Sequence, residues 1–256
     1  MDVLCGSWVD GSPSVYGGVL YVGSYRRYPR GSLHALNATT GELIWRFDTA
    51  GEVCTLHPQV HEGIVYFGSW DNNVYALDAK TGEKIWNYTT AGHITASAPR
   101  IHNNVVYVGS CDFNVYALNA RNGEKNWSYK TNGPVQSTPF VLDGTLYIGS
   151  GDGNIYALDA KTGRKLWNYT TGAAVNSSPI VYNGVVYVGS NDHNVYALKI
   201  ETEWTFNLNI LLRIAALAIA SCLIIIYIFR KERQKPSSTQ RLITPSCSIF
   251  YSYQDA

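Results

Sequence analysis

The chain has 256 residues, 46% of them apolar, with 19 Tyr and 7 Trp against a single Met, and a formal net charge of +1. Tyr, Trp and Val suit pleated, half-buried surfaces, so the bias points to β structure, and the near-zero charge gives no electrostatic footprint for nucleic acid. The cysteines (Cys5, Cys54, Cys111, Cys222, Cys247) are odd in number, scattered and without a C-x-x-C pair, which argues against a disulfide framework and a structural zinc site.

In chain order the elements are copies of one unit. Tyr-x-Gly-Ser begins at Tyr21, Tyr66, Tyr107, Tyr147 and Tyr187, and a proline keeps the same steps at Pro13, Pro58, Pro99, Pro139 and Pro179. A turn Asp/Asn-Ala-x-x-Gly starts at Asn37, Asp78, Asn119 and Asp159, and four residues after each of its glycines stands Trp45, Trp86, Trp127 or Trp167. Each unit reads as four short strands of alternating apolar residues bounded by Gly, Asn, Asp or Pro. In the fourth unit, A lies near 137–142, B near 145–150, C near 154–160 and D near 165–171. Asp152-Gly153 marks the B–C hairpin. Four antiparallel strands repeated every ~40 residues is the pattern of a β-propeller blade, which predicts an all-β fold of about five blades over 1–207.

The runs VYALDAKTGEKIW (74–86) and IYALDAKTGRKLW (155–167) resemble the tryptophan-docking repeat of the quinoprotein (PQQ) alcohol dehydrogenases, shared with the outer-membrane-protein assembly lipoprotein. The resemblance covers roughly residues 1–200. It implies that Trp45, Trp86, Trp127 and Trp167 pack between neighbouring blades as a girdle, and that rings of seven or eight blades are usual. The fifth unit (176–198) lacks the turn and tryptophan of a D strand. Either Trp204-Thr-Phe-Asn207 or the N-terminus can supply it, since aligning Pro13 with Pro179 sets Met1 on Trp167. Two readings stay open here: a five-bladed ring closed by residues 1–5, and a fragment of a larger ring. Met1 to Cys5 show neither the basic nor the apolar region of a signal peptide.

Residues 208–229 carry one charge, Arg213, and as a helix reach roughly 33 Å, enough to cross a bilayer. Arg230, Lys231, Arg233, Lys235 and Arg241 follow, so the positive-inside rule places the 230–256 tail in the cytoplasm and the propeller outside, on a single-pass membrane protein. Five Asn-x-Ser/Thr sequons, at Asn37, Asn87, Asn126, Asn168 and Asn176, are compatible with an external, glycosylated surface. Three of them lie beside a repeat tryptophan.

For chemistry, the resembling dehydrogenases hold their quinone with a vicinal Cys-Cys disulfide and a calcium ion, and this chain has no adjacent cysteines. The recurring Asp71, Asp112, Asp152 and Asp192 each precede an Asn by two residues, the pattern of a side-chain-capped turn. The histidines show no metal or nucleophile spacing. No catalytic residue, metal or cofactor is therefore expected. The C–D turns are nearly identical, whereas the B–C loops diverge, and loops on a rigid scaffold commonly carry function. Trp8, Tyr25, Arg26, Arg27, Trp70, Phe113 and His193 on the B–C/D–A face are the expected binding residues, in the first, longer B–C loop above all. The expectation is a binding, adhesion or assembly scaffold for a protein or cell-envelope polymer. A quinoprotein oxidoreductase or a degenerate relative is the alternative.

Overall fold

The computed structural model describes Val9 and residues 11–26, 30–53 and 57–200. Among them stand five antiparallel sheets in chain order. Blade one holds β1 (Ser14–Tyr16), β2 (Val19–Arg26), β3 (Arg30–Asn37) and β4 (Leu43–Thr49); blade two β5 (Gln59–His61), β6 (Ile64–Gly68), β7 (Asn73–Asp78) and β8 (Lys84–Thr89). Blade three holds β9 (Arg100–His102), β10 (Val105–Gly109), β11 (Asn114–Asn119) and β12 (Lys125–Lys130); blade four β13 (Phe140–Leu142), β14 (Thr145–Gly149), β15 (Asn154–Asp159) and β16 (Lys165–Thr170). Blade five has three strands, β17 (Ile180–Tyr182), β18 (Val185–Gly189) and β19 (Val195–Lys199).

Three turn chemistries recur among the described blades. The A–B hairpins close through two residues at positive φ, as in Asn183-Gly184, the mirror-image turn that matches strand twist. The B–C loops have three residues: Gly153 N–H donates to the Ser150 carbonyl and Ser150 N–H to the Asn154 carbonyl, with Gly153 at φ 85°. Asp152-Gly153 is thus the end of a type I turn plus bulge rather than a two-residue hairpin. In the C–D turn, Asp78 Oδ1 accepts from the Lys80 and Thr81 amides, next to a bulge where the register shifts between Ala76 and Leu77.

The cores lie between blades. Tyr21, Leu33 and Ala35 on the leading face of blade one meet Val65, Phe67 and Leu77 on the trailing face of blade two, and the arrangement repeats onward. In blades one to four strands B and C are therefore buried on both sides, as in residues 65–68 of β6, and the expected apolar alternation survives on outer strands such as β8 and on the uncovered β19. Sandwiching between neighbours removes the solvent face.

Blade five departs from this. Val195 is 79% exposed, while its equivalents Leu33, Val74, Val115 and Ile155 are fully buried. A ring closed at five blades would cover that face as the other four are covered, so the described blades form an open array. The two segments expected to complete blade five (1–5 and 204–207), the span 208–229 and the tail 230–256 lie outside the described residues. Among the described residues no helix is long and apolar enough to cross a membrane.

Candidate functional site

The C–D face is occupied by joints between blades. Trp45 Nε1 and the Tyr21 hydroxyl both donate to the Ala79 carbonyl, at 3.0 and 2.9 Å. Trp86 and Tyr66 share the Ala120 carbonyl, and Trp127 and Tyr107 share that of Ala160. One carbonyl has two lone pairs, so a single turn residue satisfies both donors. Each indole tilts against its tyrosine at 5.9–6.0 Å, in blade four as Tyr147–Trp167. A Cβ on Gly82, Gly123 or Gly163 would come within 2.6–2.7 Å of the indole from the preceding blade. Trp45 and Trp86 are buried; Trp127 and Trp167 are half-buried. Burial first, then the Glu62 charge, pushes the Tyr66 hydroxyl up to about 12, so it donates at any physiological pH.

A second joint ties the loop face. Asp112 Oδ1 accepts from the Asn114 amide, capping its own turn, while Oδ2 accepts from the Tyr116 hydroxyl at 2.7 Å and from the Ala91 amide of the preceding D–A loop at 2.9 Å. Asp71, Asp152 and Asp192 repeat the set on Tyr75, Tyr156 and Tyr196 and on the amides of Ala50, Asn132 and Gly172. The capped turn foreseen for Asp-x-Asn is present, together with an inter-blade clamp. Burial opposes the charge on Asp112, but hydrogen bonds from Tyr116, Asn114 and Ala91 outweigh it and hold the carboxyl below its ordinary value. The Tyr196 bond, over an opposing desolvation, brings Asp192 down to about 2. In blade one His34 replaces the tyrosine and its Nε2 meets Ser24 Oγ at 2.8 Å, both residues buried.

What this face still presents is narrower than the sequence list. Trp8 and Arg27 lie outside the described residues. Tyr25 and Arg26 belong to β2, in register with Gly31 and Arg30, not to a loop, because the longer connection extends the hairpin instead of opening it. Tyr25 is half-buried. Trp70 is half-buried and stacks on His93 at 5.8 Å and 23°, with His93 Nδ1 against the Trp70 carbonyl. Trp70 Nε1 and Asn72 Oδ1 are buried without a hydrogen-bond partner.

Phe113 and His193 hold the last position of their B–C turns at φ 76° and 71°, where blade four has Gly153 and blade two Asn72. Phe113 is 38% exposed and His193 is exposed. A bulky residue in that left-handed conformation is strained, and strain of this kind concentrates at functional positions. Composition missed this feature; the glycine at the equivalent position in blade four was the available signal.

Of the sequons, Asn87, Asn126, Asn168 and Asn176 are exposed, whereas Asn37 caps its turn by accepting the Thr39 and Thr40 amides. Cys111 is half-buried beside Thr95 Oγ1 at 3.6 Å. Among the described residues no three His, Cys, Asp or Glu side chains converge as a metal site.

Comparison with known proteins follows the joints. The structure resembles BamB from Moraxella catarrhalis, at 22% identity and a TM-score of 0.62, over 75% of this chain and 58% of that one. It resembles quinohemoprotein alcohol dehydrogenase from Comamonas testosteroni at 21% identity and 0.64, over 75% and 41%. The computationally designed Ika8 protein matches at 17% and 0.64, over 73% and 57%. The chain thus spans from 41% to 58% of the length of these structures, and at such identities they share its fold. No curated protein sequence matches. A family model described as "Beta-alanine-activating enzyme, beta-propeller" matches residues 2–209, and the chain belongs to that β-propeller family.

Proposed function

We propose that this propeller is a binding scaffold that engages a protein or cell-envelope polymer through its B–C/D–A face, held to a membrane by residues 208–229 with the propeller outside the cytoplasm. The observation that carries the reading is Phe113, an exposed aromatic in a left-handed turn position that a glycine fills elsewhere in the chain. Phe113, His193 and the Trp70–His93 stack share this face, and aromatic side chains on rigid turns are the groups that dominate binding energy.

Site-directed photo-crosslinking in intact cells tests it. A photoreactive side chain at position 113 or 193 should yield a discrete adduct, and one at Arg121 or Lys161 on the C–D face should not. Adducts from the C–D positions alone would overturn the assignment.

A further inference from the structure

The outer strands of blades two, three and four each carry a sequon: Asn87-Tyr-Thr89 on β8, Asn126-Trp-Ser128 on β12 and Asn168-Tyr-Thr170 on β16. Each of these strands ends its sheet, with no described strand beyond it. Copying of the blade accounts for the first and last, because Asn87 and Asn168 stand opposite Tyr75 and Tyr156. It does not account for the middle one. Opposite Tyr116 stands Ser128, and the asparagine comes two residues earlier, as the bulge residue between Lys125 and Trp127 that no residue of β11 faces. Blade one has Arg46 and Asp48 at the positions of Asn87 and Thr89, joined as an ion pair.

The middle tyrosines point toward the next blade, Tyr88 against Tyr116 and Tyr169 against Tyr196, each at 5.5 Å. Strand alternation therefore turns Asn87, Thr89, Asn168 and Thr170 to the opposite face, where all four are exposed. Asn73 Oδ1 accepts from Asn87 Nδ2 at 3.0 Å and from Thr89 Oγ1 at 2.6 Å. Asn154 Oδ1 accepts from Asn168 Nδ2 at 2.9 Å and from Thr170 Oγ1 at 2.7 Å. An asparagine amide carries two hydrogens. One makes this cross-strand bond, so a sugar on Nδ2 can replace the other and the bond persists. The remaining sequons differ. Asn37 is a turn cap whose place aspartate fills at Asp78 and Asp159, and Ser178, the hydroxyl of the Asn176 sequon, accepts the Thr138 amide of blade four.

We propose that Asn87, Asn126 and Asn168 carry N-linked glycans, a belt on the outer rim that shields the free strand edges of three blades and leaves the loop face open. Free edges invite pairing with other chains, and covering them is one remedy. The transfer joins Nδ2 to the anomeric carbon of an oligosaccharide and breaks that carbon's bond to a polyprenyl diphosphate. The lipid diphosphate and one Nδ2 proton leave. This modification rests on the reading that the propeller lies outside the cytoplasm, since it marks the surfaces of exported chains.

The test takes the full-length chain from its native membranes and treats it with a peptide-N-glycosidase in heavy-oxygen water, which leaves a labelled aspartate wherever a glycan stood. Mass spectrometry should find the label at 87, 126 and 168 and not at 37 or 176. Asn87→Gln, Asn126→Gln and Asn168→Gln should each remove one step of the enzyme-dependent gel shift. Thr89→Ala should remove the same step as Asn87→Gln, and Thr89→Ser should retain it. Protease added to intact cells reports the topology separately. A digested propeller with any rim asparagine unlabelled would overturn the belt and leave the topology standing, whereas a protected, unlabelled propeller would overturn both. Label at 37 or 176 with the rim bare would also contradict the belt.

Discussion

Gly123 and Gly144 offer a direct measure of how tightly the blades are joined. Both hold left-handed backbone, at φ 73° and 74°. A methyl on Gly144 meets nothing within 4 Å, whereas one on Gly123 comes within 2.7 Å of the Trp86 ring. Alanine at either position carries the left-handed penalty of about 1–2 kcal/mol. At Gly123 it also forces apart an indole that is wedged between two blades and bonded to the Ala120 carbonyl, an overpacking cost of about 1–3 kcal/mol. Gly144→Ala should therefore lose about 1–2 kcal/mol and Gly123→Ala about 2–5 kcal/mol. Urea unfolding of the full-length variants gives the difference, and near-ultraviolet circular dichroism reports the displaced indole. Equal losses in the two variants would refute the claim that the tryptophan joint is packed to contact.

Three further outcomes follow from the same geometry. Tyr66→Phe removes one of two donors to the Ala120 carbonyl while Trp86 remains, so unfolding free energy should fall by only about 0.5–1.5 kcal/mol. Asp112→Ala leaves the Tyr116 hydroxyl and Ala91 amide without their acceptor and should cost about 1–3 kcal/mol at neutral pH. Because Asp112, Asp152 and Asp192 are held below the ordinary 3.8, the unfolded chain takes up protons first as pH falls. Their stabilisation is complete above that value and is lost on the way toward pH 2. Urea midpoints measured across this range should show a shallower acid limb for Asp112→Ala than for the parent chain. Phe113→Gly should raise stability by about 1 kcal/mol by relieving the left-handed side chain, and should abolish the crosslinked adduct formed from position 193. Loss of stability instead would show that Phe113 is a packing residue.

Strand order within a blade and the structural place of the tryptophans were legible because the repeat states them four times over. Tyr-x-Gly-Ser and the Asp-Ala-x-x-Gly turn recur with so little change that sterics common to every blade must set them. The partners of Trp45, Trp86 and Trp127 were less visible. Each donates to a carbonyl 33 or 34 residues away, and a backbone acceptor leaves no mark on composition. The inter-blade reach of Asp71 and its equivalents was hidden for the same reason, since half of each clamp is an amide. The first B–C loop misled because extra residues between two strands can lengthen the strands as readily as the loop, and Tyr25 and Arg26 went into β2. At the candidate site, residue identity placed Phe113 and His193 on the B–C/D–A face, where the structure has them. The strain that singles them out lies in backbone angles that only the folded turn reveals.

The claim that the B–C/D–A face is the working surface meets its most direct test in hydroxyl-radical footprinting of the chain in its native cells against the purified full-length chain. If a partner occupies that face, Phe113, His193 and His93 should oxidise more slowly in cells than after purification. Tyr16 and Tyr182, at the ends of the innermost strands by the A–B turns, should react equally in both. Protection of Tyr16 and Tyr182 with Phe113 and His193 unchanged would place the partner on the opposite face and contradict the account.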